Sequence, residues 1–227
     1  MARTKSRFVC QECGYVASSW LGRCPECGGW NTLVEEAEVT AKASKSYLPA
    51  NNEKLRPRTI ASVAQTKVER LATGIREFDR VLGGGVVPGS LVLLGGTPGI
   101  GKSTILLDAG LRFGQQGIKV LYVSGEESEE QTAMRAVRLG GAQSNDNLLI
   151  LTATDLDAIL AQANALKPQL LIIDSIQTMY NPELQTAAGS VGQVRECTAK
   201  LLQFAKSTGI AVLLIGHVTK DGTIAGP

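Results

Sequence analysis

From Val68 onward, short and almost unbroken apolar runs alternate with stretches in which apolar residues return every three or four positions. The runs at 90–95 (SLVLLG), 119–124 (KVLYVS), 148–152 (LLILT), 169–174 (QLLIID) and 210–215 (IAVLLI) are too short for helices. They also lack polar alternation, which is the pattern of strands covered on both faces. The stretches 103–115, 128–139, 155–166 and 191–208 carry the helical period. Strand followed by helix, repeated, predicts an α/β fold: a parallel sheet joined by right-handed crossovers, with helices on both faces.

Upstream the pattern changes twice. Residues 35–66 are polar and show no sustained apolar period. They read as a flexible linker, or as a segment that orders on a partner. Residues 1–34 hold four of the five cysteines and both tryptophans. The expected organisation is a small cysteine module at 1–34, a linker at 35–66 and an α/β core at 67–227, without internal repeats.

Composition narrows the setting. Hydrophobic residues at 44% and charged residues at 19% are ordinary for a soluble globular protein. Aromatic residues are only 4%, so the core is expected to be built from Leu, Ile, Val and Ala. A net charge of +2 neither marks nor excludes a nucleic-acid binder, because a local patch decides that. Five cysteines behind an N-terminus without a signal-peptide pattern read as reduced thiols of a cytoplasmic protein. No run approaches the roughly 20 apolar residues that span a bilayer.

Cys10, Cys13, Cys24 and Cys27 are spaced C-x2-C-x10-C-x2-C, and each pair is followed by a glycine. A Cys-x-x-Cys-Gly turn brings two thiolates to one point, and the glycine supplies the left-handed conformation that turns the backbone toward sulfur. Two such turns offer four sulfurs to a tetrahedral zinc ion in a closed structural site. A single pair could be a redox couple; doubled at short range it reads as a metal clasp. So short a segment cannot bury a core of its own, and the metal is expected to hold it. The basic residues Arg3, Lys5, Arg7 and Arg23 outnumber the acidic Glu12 and Glu26 by two and so nearly offset the charge of about −2 on such a centre, so charge alone does not make the clasp a DNA grip. Trp20 and Trp30 are expected to cover the small core, with stacking on bases the other reading. Cys197, inside a helical stretch, reads as a packed side chain.

The segment GTPGIGKS, 96–103, matches G-x-x-x-x-G-K-[ST] after a strand and before a helix. Gly96, Thr97, Pro98, Gly99, Ile100, Gly101, Lys102, Ser103 and Thr104 are the expected ATP-binding run. Its glycines let backbone N–H groups point at phosphate, and the helix start adds a positive end. Lys102 is expected to reach the β- and γ-phosphates, and Ser103 to ligate magnesium. LLIID, 170–174, delivers Asp174 to a strand end where a carboxylate can hold magnesium. The strand VLYVS leads into Glu126 and Glu127; Glu126 is the candidate general base, and Glu127 the residue that starts the next helix. The only histidine, His217, ends the last strand, placed either to sense the γ-phosphate or to sit solvated in a loop.

These segments resemble the bacterial RadA/Sms family of DNA-repair ATPases, which has a RecA-like core. The matching stretches are VCQECG…GRCPECGGWN, ERLATGIREFDRVLGGGVVPGSLVLLGGTPGIGKST, YVSGEESEEQ, LLIIDSIQTM, GSVGQVREC and LLIGHVTKDGTIAGP. The resemblance implies a homo-hexameric ring around DNA, ATP hydrolysis, and branch migration alongside the RecA recombinase. It implies Glu126 as the catalytic carboxylate, His217 at the sensor position, and a strand order of 3-2-4-5-1 for the five strands above. It further implies that residues 181–195 form a mobile loop facing the ring's channel, with Arg195 as the candidate DNA contact. The family continues through a Lys-Asn-Arg-Phe-Gly motif to a Lon-protease-like domain, whereas this sequence stops at TIAGP. It therefore reads as a C-terminally truncated core, expected to lack the ring's trans-acting cation and full ATPase activity, with Lys220 the first substitute inside it. A clock-type or signalling RecA-like ATPase is the alternative, opposed by the cysteine clasp; a small kinase using the same loop is opposed by Glu126 beside Asp174.

Overall fold

A computed structural model of the protein describes residues 6–37, 57, 59–64, 68–141, 145–184 and 186–217. Most of the span read as a linker, and Lys220, lie outside them.

The N-terminal module is a three-stranded antiparallel sheet of order β2–β1–β3, with β1 at Ser6–Cys10, β2 at Val16–Ala17 and β3 at Leu33–Ala37. Strand β3 pairs with all of β1, so the module runs past the expected boundary at 34. Its core is only Cys10, Ala17, Cys24 and Leu33, with Phe8 and Tyr15 against them. The expected cover of two tryptophans is not found: Trp20 is 56% and Trp30 is 71% exposed. Trp30 instead lies under the Arg23 guanidinium, 5.7 Å from the ring centre. Within the polar span, Ile60–Ala64 forms a short helix, α1, started by Thr59, whose Oγ1 accepts from the Ser62 N–H.

The α/β core follows the apolar runs closely. Helix α2 (Arg76–Val81) precedes β4 (Leu91–Gly96), α3 (Lys102–Gln115), β5 (Val120–Ser124) and α4 (Glu129–Arg138). Then come β6 (Leu148–Thr152), α5 (Leu156–Leu166), β7 (Leu170–Asp174), a single 3₁₀ turn at Ile176–Thr178, α6 (Val191–Thr208) and β8 (Ala211–His217). The five core strands are all parallel, in the order β4–β8–β7–β5–β6. That is the expected 3-2-4-5-1 order, read from the other edge.

Alternate side chains of each strand feed opposite faces. Leu121, Val123, Leu171, Ile173, Val212 and Leu214 pack against α5 and α6. Val120, Tyr122, Leu170, Ile172, Leu213 and Ile215 pack against α3 and α4. Strands β5, β7 and β8 are buried almost throughout, as expected. Strands β4 and β6 are not, because each forms an edge of the sheet and is covered on fewer sides.

Candidate functional site

Apart from Arg195, the candidates of the core converge on the carboxyl ends of β4, β8, β7 and β5, the place where open α/β sheets bind ligands. After Gly96 the chain turns through an exposed loop in which Gly99 (φ 77°) and Gly101 (φ 99°) adopt left-handed backbone. A Cβ at either position would meet no atom within 4 Å, so the glycines serve backbone shape and an open approach, not packing. Gly101 caps α3 without a side-chain acceptor, and no acidic residue stands in the first turn. The first N–H groups of this 14-residue helix are therefore left to an anion. Thr97, Pro98, Ile100 and Thr104 are exposed around the same mouth.

Lys102 is 6% exposed, and its Nζ donates to the carbonyls of Gly96 (2.8 Å) and Thr97 (2.9 Å). Among the described residues, no carboxylate lies within ion-pair distance of it. A buried ammonium held only by neutral carbonyls is a cation awaiting a negative partner.

Ser103, next on α3, donates from Oγ to Asp174 Oδ1 at 3.1 Å. Neighbouring oxygens around octahedral magnesium at about 2.1 Å stand about 3.0 Å apart, so this pair fits two adjacent positions on such an ion. Asp174 Oδ2 accepts a 2.6 Å hydrogen bond from Tyr122 Oη.

Glu126 is carried past the end of β5. Its Oε1 accepts from Ser175 Oγ at 2.9 Å and stands 3.5 Å from His217 Nε2. Its side chain remains 51% exposed, so a water molecule can reach it. His217 is held by its own backbone, which exchanges two hydrogen bonds with the Gln177 amide. Its Nδ1 is buried and unpartnered, so the histidine is not the solvated loop residue of the alternative reading. Glu127 does not begin the helix. It forms an ion pair with Arg135 of α4, and the helix is capped by Ser128 and Gln131 in a reciprocal capping box. The two adjacent glutamates are thus separated in task by one residue's change of direction.

The segment expected to be a mobile loop over 181–195 is shorter and better anchored than that. Helix α6 already starts at Val191, capped by Ser190. Gln193 is fully buried, donating to the carbonyls of Asn181 and Thr186 and accepting from the Asn181 N–H. Gln193, inside the span expected to be mobile, thus fastens the segment before α6 to that helix. Lys200 adds a second fastening through Asp157, Asn181 and Glu183. Arg195 is exposed on the first turn of α6, away from the carboxylate cluster's hydrogen bonds.

The four N-terminal sulfurs all lie within 4.8 Å of one another, with Cys10–Cys27 at 3.6 Å and Cys13–Cys24 at 3.5 Å. Tetrahedral zinc with bonds of about 2.3 Å holds its sulfurs about 3.8 Å apart, so the cluster fits the ion. Gly14 (φ 77°) and Gly28 (φ 74°) close the two turns in left-handed backbone, and each N–H returns to the carbonyl of the first cysteine of its pair. Burial pushes the Cys10 thiol up, but Thr32 and the backbone N–H groups of Cys13 and Glu12 outweigh it and bring it to about 6. At Cys27 the Gly29 backbone acts downward, yet burial and the other three sulfurs push the thiol up to about 12. Crowded thiols of this kind resist shedding all their protons unless a cation takes the charge.

Three functional neighbours escaped the sequence reading: Tyr122, Ser175 and Gln177. Tyr122 left a signal, one phenol inside an aliphatic strand run, whose hydroxyl had to find a partner. Ser175 and Gln177 left none beyond their place after Asp174.

A parallel sheet in this order, with a glycine-rich loop leaving its edge strand and an acid at the end of a neighbour, is a RecA-like α/β nucleotide-binding core. The AAA domain signature matches residues 55–223, and the chain belongs to that family. Residues 8–35 match the rubredoxin metal binding domain. Over its whole length the chain is 50% identical to the DNA repair protein RadA of Halalkalibacterium halodurans and 48% identical to that of Bacillus subtilis. It is 50% identical to the RadA protein of Streptococcus pyogenes serotype M6. In each case it covers the N-terminal part and spans about half the length of the relative, 49–50%. Family and site define an AAA-type nucleotide-binding core that fits ATP and magnesium, with a zinc ribbon at its N-terminus. No described helix is long and apolar enough to cross a membrane.

Proposed function

We propose that the protein is a DNA-dependent ATPase of recombinational repair, working in the cytoplasm as a homo-hexamer on single-stranded or branched DNA. In this reading it promotes branch migration together with the RecA recombinase. The observation that carries the nucleotide chemistry is the buried Lys102, whose Nζ donates to two loop carbonyls, beside the Ser103–Asp174 pair. The DNA-repair context rests on the names of the relatives, each about twice as long as this chain.

In the proposed mechanism the N–H groups of 96–104 cradle the phosphates. Lys102 exchanges its two carbonyl acceptors for β- and γ-phosphate oxygens, where its charge is worth most in the transition state. Ser103 and Asp174 would hold magnesium, which when bound would supply positive charge against that developing on the phosphates. Glu126 orients the attacking water and takes its proton; Ser175 fixes the carboxylate for that task. His217, 3.5 Å from Glu126, reports γ-phosphate occupancy to β8. Arg195 contacts DNA phosphate, and the zinc ribbon couples the motor to DNA or to a protein partner.

The test is ATP turnover by the whole protein with and without single-stranded DNA. Stimulation supports the motor. Turnover indifferent to DNA, with a regulatory cycle of its own, favours the signalling alternative.

A further inference from the structure

Tyr122 is an anomaly on its strand. Its neighbours on the α3-facing side of the sheet are Val, Leu, Ile and Ala, and a Phe would fill the same space. Its side chain is fully buried, where an unpaired hydroxyl is costly. The hydroxyl reaches Asp174 Oδ2 across the β5–β7 pair at 2.6 Å, a charge-assisted length.

The two oxygens of Asp174 are thereby divided. Oδ2 is tied to the sheet interior and Oδ1 faces Ser103 on α3. A carboxylate free to rotate about its last bond would present either oxygen to either side. The geometry points to Tyr122 as the positioning residue of the magnesium site, locking the Asp174 carboxylate so that Oδ1 and Ser103 Oγ meet the ion together. It touches neither nucleotide nor metal and acts through Asp174 alone. The inference rests on the proposed magnesium role of Asp174.

The experiment measures binding, not turnover. Affinity for a non-hydrolysable ATP analogue is titrated against magnesium and repeated in EDTA for wild type, Tyr122→Phe, Asp174→Asn and the double variant. Tyr122→Phe conserves volume, and its thermal melt reports folding separately. The expected result is a magnesium half-saturation raised about tenfold in Tyr122→Phe, since hydrogen bonds to charged groups are among the stronger ones. Affinity in EDTA is unchanged, and the substitution has no further effect in the Asp174→Asn background. A melt lowered without any shift in magnesium dependence makes Tyr122 structural and overturns the inference. So does an equal effect in the double variant. If Asp174→Asn itself leaves magnesium dependence unchanged, the metal role of Asp174 fails, and with it this inference.

Discussion

The Gln177 side-chain amide brackets the backbone of His217, donating to its carbonyl and accepting from its N–H at 3.2 Å each. The turn after Asp174 is thereby coupled to the end of β8. Ser175 of the same turn also holds Glu126. A single short segment thus positions both the candidate base and the candidate sensor.

Replacing Gln177 with Leu removes both bonds while keeping bulk. Stability is expected to fall by about 1–2 kcal/mol, measured by denaturant unfolding. Hydrolysis in the whole protein should slow while nucleotide affinity holds. Weakened ATP binding with normal turnover would place the bracket in the phosphate site instead.

Lys102→Ala and Glu126→Gln should fail in different ways. Without the ammonium, nucleotide binding and turnover are lost together. Without the carboxylate, binding persists and turnover drops by roughly 10²–10⁴-fold, as for loss of a general base. Calorimetric titration beside a phosphate-release assay separates them. Normal turnover in Glu126→Gln alongside loss in Glu127→Gln would move the base to the residue that pairs with Arg135.

Metal analysis should find one zinc per chain, and Cys24→Ala should lose it. Chelation is expected to unfold residues 6–37 while ATP binding by the core persists, because their core is little more than two of the sulfur ligands and a few side chains. Limited proteolysis with and without chelator reads this directly. Loss of nucleotide binding on chelation would mean that the ribbon completes the site.

Lys200 tethers the segment before α6 through Asp157, Asn181 and Glu183. Burial draws its pKa down, but the bonds to Glu183 and Asp157 outweigh this and leave it raised. A raised folded value means the tether is intact below the unfolded pKa of about 10.4 and is lost as pH climbs through the folded value above it. Lys200→Met should therefore speed amide exchange of residues 181–190 at neutral pH, and wild type should approach that rate only in strongly alkaline buffer. Identical exchange in the two proteins at neutral pH would show that Gln193 alone holds the loop.

The strands and helices of the core were legible because both sheet faces are covered, which turns burial into continuous apolar runs. Strand order came only with the family resemblance, since parallel pairing leaves no local trace. The phosphate loop and the cysteine clasp were visible as fixed spacings, each imposed by one small ligand. Trp20 and Trp30 misled because indole hydrophobicity ordinarily predicts burial, whereas this small module gathers its core around two of the cysteines and leaves both indoles exposed. Gln193 misled in the opposite sense: a buried amide meeting three backbone groups looks, in sequence, like any exposed polar loop residue.

Strand β4, which carries the phosphate loop, pairs among the described residues only with β8, the last of the described strands in chain order. During synthesis the ribbon can close on its metal soon after Ala37 has left the ribosome. The loop of 96–104 then emerges early but without a neighbour for its strand. Its lysine follows the first core strand and its magnesium-side aspartate ends the fourth, yet β8, which joins β4 to β7, is the last of the described strands to be translated. A nascent chain can therefore form its cysteine ribbon well before β8 arrives to set the phosphate-loop strand beside the strand of Asp174.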